Sequence, residues 1–194
     1  MKITSGILDN EMESKNKMEK IIYFENDSQR TDRCVGQVYA EFLEYAFTET
    51  DYFMLVYANY YGKGYTKIMK SFLKELRPFQ VKRRTNPSWP GTLGTICPNT
   101  TYKVVFYRTA PEAKETLKKV NQLSQWSSPS YPQDLAFFKG NQCWLYSVGH
   151  EKIAALLHAS EKDIDFVAKT GLARREDAYA LDVEYFRAYD EELE

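Results

Sequence analysis

The chain's 194 residues, 43% of them hydrophobic, suffice for a substantial buried core, since a domain of ~150 residues already hides roughly two-thirds of its unfolded surface. Its 26 Lys plus Arg stand against 27 Asp plus Glu, a formal charge of -1, so no global field draws it to nucleic acid or acidic lipid. Cys34, Cys97 and Cys143 are odd in number and form neither a CxxC pair nor a metal-ligand spacing, which argues for free thiols in a reducing, cytoplasmic setting.

Residues 1–18 are polar and rich in Asn, Glu, Lys and Ser. They read as an N-terminal extension, of which residues 1–17 are expected to be dispensable for folding, ahead of a single α+β domain over residues 19–194. Residues 1–17 lack the apolar centre of a signal peptide, and no run approaches the ~20 apolar residues of a membrane helix, so no membrane partner is expected. Residues 21–24 are a short apolar run before the turn-like Glu25-Asn26-Asp27-Ser28, and predict a first strand. Val35, Val38, Tyr39, Phe42, Leu43 and Ala46 recur at the three-and-four spacing of one helical face.

Residues 52–58 are apolar on both alternating faces and bounded by turn residues, the pattern of a central strand. Ile68, Met69, Phe72, Leu73 and Leu76 mark a second helix, closed by Pro78, which disfavours helical conformation in the residue before it. Residues 79–84 predict a strand. From 85 to 100 there is no periodicity, only punctuation by Pro, Gly and Asn around Trp89, the signature of a long loop of the kind that often carries function. Residues 102–107 resume as a strand. Thr109, Pro111 and Glu112 predict a capped third helix running to about Leu123.

Gly140-Asn141 is a two-residue hairpin turn between strands at 135–138 and 142–148. That register sets Phe137 opposite Trp144, Leu135 opposite Tyr146, and Phe138 on the other face with Cys143. Residues 153–159 are assigned to a strand, because Ser160 to Asp163 is a helix-starting signal that a continuing helix would waste. The last helix carries Ile164, Val167 and Ala168 and stops at Gly171; the charged, tyrosine-bearing tail from Arg174 is expected to drape over the surface. In sum, residues 52–138 order as strand, helix, strand, strand, helix, strand. This predicts an α+β fold with a ferredoxin-like core, extended by an N-terminal strand and helix and by a C-terminal antiparallel meander plus helix.

The stretches IIYFENDSQR, DYFMLVYANYYGKGY, RRTNPSWPGT and PQDLAFFKGNQCWLYSVGHEK resemble those of a family of small bacterial proteins of unknown function. The resemblance spans roughly residues 18–172. It implies no activity and transfers no functional residue.

Candidate chemistry concentrates after the central strand. Tyr61, Gly62, Lys63, Gly64 and Thr66 form a glycine loop that opens a helix, where unpaired N–H groups suit an anion and Lys63 and Thr66 add contacts. The loop is not a Walker motif, lacking its spacing and its Lys-Ser/Thr ending. The structural alternative is that the glycines serve only a tight turn needing positive φ. His150 ends a strand beside Glu151 and after Ser147, so acid–base work or a simple rim position are both open. Two histidines exclude a three-histidine metal site, and no metal or cofactor is expected. Cys143 sits mid-strand, where a buried thiol is inert. Lys82-Arg83-Arg84 with Trp89 is material for a nucleic-acid surface, though a solvated strand end is the favoured explanation and nucleic acid is an unfavoured partner.

The sequence therefore predicts a binding or interaction protein that holds a small anionic ligand or a protein partner in a preformed groove. The candidate residues are Tyr61, Gly62, Lys63, Gly64, Thr66, His150 and Trp89. The alternative is a small enzyme acting on a phosphorylated or nucleotide-like substrate through Lys63 and His150. In the expected topology the central strand and the strand ending at Val148 run antiparallel side by side. The glycine loop then meets His150 at one end of the sheet, and the 85–100 loop lies at the other.

Overall fold

The computed structural model describes residues 18–24, 33–94 and 97–193; residues 1–17 of the N-terminal extension and the turn at 25–28 lie outside these, while Met18, assigned to the extension from sequence, begins the first strand. Among the described residues eight strands form one sheet: β1 Met18–Tyr23, β2 Tyr52–Asn59, β3 Gln80–Thr85, β4 Thr101–Arg108, β5 Gln133–Lys139, β6 Gln142–Val148, β7 Ile153–Leu156 and β8 Tyr179–Asp182. Their order is β3-β4-β2-β5-β6-β7-β1-β8, and every neighbouring pair is antiparallel. Four α-helices join them among the described residues: α1 Gln37–Glu49, α2 Lys67–Glu75, α3 Pro111–Leu117 and α4 Glu161–Thr170. None of the described helices is long and apolar enough to cross a membrane.

Strand alternation divides the core between the two faces of the sheet. Phe53, Leu55, Tyr57, Val105, Tyr107 and Phe137 meet the apolar stripes of all four helices on one face, through Phe42, Phe72, Leu117 and Val167 among others. Met54, Val56, Val104, Phe106 and Phe138 point to the opposite face. That second face is closed by the C-terminal tail, which is more than a surface drape. After β8 pairs with β1, residues 183–193 cross the sheet and bury Phe186 to 1% exposure. Asp190 accepts the Cys143 N–H at 3.0 Å, the Glu191 N–H reaches the Asn141 carbonyl at 2.9 Å, and the Glu191 carboxylate pairs with Arg84. The charge of this tail hid one buried aromatic within an acidic stretch.

Several local expectations hold. Ser160 and Asp163 form a reciprocal capping box at the start of α4, and Gly171 ends it at φ 73°. Gly140-Asn141 joins β5 to β6, with Phe138 opposite Cys143 as expected. Three expectations need correction. A register shift between Phe137 and Phe138 sets Phe137 opposite Leu145 rather than Trp144, a bulge that leaves Trp144 and Phe137 on the helix-covered face all the same. Thr109 does not cap α3; its hydroxyl donates to the Thr50 carbonyl at 2.7 Å, and Ala110 holds the cap position without a side-chain bond. Finally, α3 stops at Leu117, where the chain tightens into bonds from Lys119 to Thr116 and from Val120 to Leu117, and the Asn121 carbonyl is taken by Gly36 N–H at 2.7 Å.

Candidate functional site

β5 separates β2 from β6, so these two strands are parallel rather than antiparallel neighbours. Their C-terminal ends therefore share one end of the sheet. β3 is parallel to β2 through β4, which carries the 86–100 loop to that same end and not to the opposite one. The loops after β2, β3 and β6 and the approach to β5 thus converge.

Asp134 ties them together. Gln133 pairs with Val56 and Ala136 with Met54, leaving one extra residue on β5. Asp134 occupies this bulge at φ 58°, a left-handed conformation that Asp tolerates better than most residues. It is 1% exposed. Its Oδ2 accepts the Trp89 Nε1–H at 2.8 Å, its Oδ1 accepts the Gly149 N–H at 3.0 Å, and its own N–H donates to the Trp126 carbonyl at 3.1 Å. A Cβ at Gly149 would collide with that same carbonyl, so glycine is required where the turn after β6 crosses the 126 segment. Burial pushes the Asp134 carboxyl from the ordinary 3.8 up to about 6, against the pull of Trp89, Gly149 and His150.

A cavity of about 330 Å³ opens onto this clasp, lined by Tyr60, Trp89, Tyr102, Gln133, Asp134 and His150 among others. Trp89 and Tyr102 lie with ring centroids 5.1 Å apart. Ser128 also lines it, and its buried hydroxyl has no hydrogen-bond partner. His150 stands at the rim with a 65% exposed side chain, its Nε2 3.6 Å from the Glu151 carboxylate. Neither Lys nor Arg occurs among the described residues of the lining.

No family model, curated protein or solved structure matches the chain. The functional reading therefore rests on this geometry. Of the sequence-predicted residues, the fold brings Trp89 and His150 into one cavity. Trp89, 3% exposed, points inward rather than out as a recognition side chain. The glycine loop adjoins the site through Tyr60, and through Thr66, whose hydroxyl donates to the Ser130 carbonyl at 3.0 Å. Three of its backbone donors are engaged inside the chain. The Gly64 N–H donates to Asn59 Oδ1 at 2.7 Å, the Lys63 N–H to the Tyr60 carbonyl at 3.1 Å, and the Met69 N–H to Thr66 Oγ1 at 3.1 Å. Lys63 Nζ lies 5.8 Å from the ring centre of Tyr61, which is itself 62% exposed. Tyr61, Gly62, Lys63 and Gly64 do not line the cavity.

Other candidates are structural. Ser147 is buried and donates to the Leu135 carbonyl at 2.8 Å, so it is no partner of His150. Burial raises the Cys143 thiol well above its ordinary value, as befits an inert thiol. Lys82 and Arg84 both pair with Glu191, and Trp89 is buried, which leaves it no exposed face to stack beside them. No group of three or more metal-ligating side chains occurs among the described residues. Sequence reasoning missed Asp134. The signal was present as a single acidic residue beside the apolar Leu135 to Phe138, a position where a buried charge demands partners.

Proposed function

We propose that the protein is a cytoplasmic binding protein for a small molecule, held in the cavity at the loop end of the sheet. The observation that carries this is the Asp134 clasp, which fixes an aromatic and polar wall from three separate chain segments around one opening. Pre-organisation of that kind is what a binding site gains from a rigid scaffold. Of the two occupants expected from sequence, a small ligand or a protein partner, the recessed lining favours the former, and His150 at the rim is the group available to an anionic substituent. The free thiols of Cys97 and Cys143 are in keeping with a reducing compartment. The run β3-β4-β2-β5, with α2 and α3 as its helical connections, supports including the ferredoxin-like arrangement in this reading.

A second reading is a small enzyme acting on a phosphorylated or nucleotide-like substrate. It is favoured by Asp134 and His150 facing the same cavity, a carboxyl that protonates near pH 6 beside an imidazole being suited to proton transfer. A thermal-shift screen with nucleosides, sugar phosphates and amines separates binding from its absence, since a ligand at 100 times its Kd stabilises by ~2.7 kcal/mol. Substrate turnover by wild type that His150→Ala abolishes would favour the enzyme; stabilisation without turnover supports the binding protein, and no stabilisation by any class would defeat both.

A further inference from the structure

The geometry points to a planar nitrogen heterocycle bearing N–H donors, of the nucleobase class, as the occupant of the cavity, with its donor edge on Asp134 and Gln133. This rests on reading the cavity as the binding site. Tyr60, Trp89 and Tyr102 contribute aromatic rings to the lining, the last two mostly buried, and aromatic side chains favour the face or edge of a ring over a branched aliphatic group. Asp134 is the one acceptor-only group of the described lining, the hydroxyls and the Gln133 amide being able to donate as well. Asp134 offers a carboxylate with one N–H on each oxygen, leaving lone pairs free; Gln133 adds an amide.

Ser128 lines the cavity and its hydroxyl is buried without a partner, an unmet hydrogen-bonding group that a ligand reaching it would satisfy. The absence of Lys and Arg from the described lining disfavours a phosphate inside it. At about 330 Å³ the volume falls at the small end of the roughly 300–1,000 Å³ that ligand pockets span, suited to one or two fused rings.

Because N–H donors bind the ionised carboxylate better than the neutral acid, affinity rises with pH. His150, whose charge when protonated favours the ionised form, and Glu151, whose charge opposes it, are the other ionisable groups acting on Asp134, with Trp89 and Gly149 as its donors.

Calorimetric titration of the full chain with cytosine, adenine, 1,3-dimethyluracil and ribose 5-phosphate tests the inference. Cytosine or adenine should bind about tenfold more tightly at pH 7 than at pH 5, and 1,3-dimethyluracil, a ring without N–H donors, about tenfold more weakly than either. Ser128→Ala should weaken base binding about tenfold with no change in Tm, since the hydroxyl it removes bonds nothing in the protein. Equal affinity for dimethyluracil, or a pH-independent Kd, overturns the donor-edge assignment. Binding of ribose 5-phosphate alone, weakened by Ser128→Ala, overturns the ligand class while leaving the cavity as the site. If no probe binds, the nucleobase assignment falls, while the cavity as a binding site falls only with the broader thermal-shift screen.

Discussion

Asp134 is the residue on which the loop end of the sheet depends, and its replacement has two separable consequences. Asp134→Ala leaves the Trp89 Nε1–H and the Gly149 N–H unpaired in a buried setting, at about 1–3 kcal/mol each; a total loss of about 2–6 kcal/mol follows if the site does not relax. Asp134→Asn keeps the shape and removes the titration. The folded carboxyl is raised from 3.8 to about 6 by burial, so the folded state holds the proton more tightly than the unfolded one. This contribution is fully present below about pH 4 and is lost as pH rises through 6. The rise corresponds to about 3 kcal/mol. Urea denaturation of wild type and Asp134→Asn from pH 4 to 7 reads it directly. The wild type should lose about 3 kcal/mol relative to the variant across that range, with the difference levelling off above pH 7. Parallel profiles for the two proteins would show that the carboxyl is not buried as described.

Other perturbations separate the core from the site. Trp144→Ala should cost ~3 to 5 kcal/mol in a denaturant titration, because Trp144 is buried on the helix-covered face with Phe137. Phe186→Ala should cost a comparable ~3 to 5 kcal/mol if the tail seals the second face; a neutral result would mean the tail only rests on it. Gly149→Ala should lower Tm markedly, as its Cβ meets the Trp126 carbonyl, whereas Gly64→Ala, with open space around its Cβ, carries only the strain of its positive φ. In ligand titrations, Lys63→Ala should leave cavity binding intact while Tyr60→Ala weakens it, since only Tyr60 lines the opening. The reverse order would return the site to the glycine loop.

Most of the elements were legible because they are set by local periodicity. The two-sided apolar run of β2, the stripes of α1 and α2, and the Ser160–Asp163 cap each follow from a few neighbouring residues. What local pattern cannot carry is position in the sheet. β5 lies between β2 and β6, and that one insertion reverses the expected relation of those strands and brings the Trp89 loop to the end that holds His150. The Phe137 register shift was hidden for a similar reason, since a bulge changes no residue type. Two of the seven candidate residues, Trp89 and His150, reached the cavity. Asp134 was overlooked because an acidic residue at a strand start looks solvated until Trp89 and Gly149 are seen to partner it.

The central claim, that the Asp134 cavity is the ligand site, is tested most directly by the indole resonances of the three tryptophans in ¹⁵N-labelled protein during ligand titration. Trp89 donates to Asp134 and lines the cavity, whereas Trp126 donates to Tyr39 inside the helix-covered core, at 2.9 Å, and Trp144 lies buried in that same core. With the resonance assigned through Trp89→Phe, a bound ligand should move the Trp89 signal and leave those of Trp126 and Trp144 in place. A saturable ligand that shifts either core indole, or none, would contradict the account.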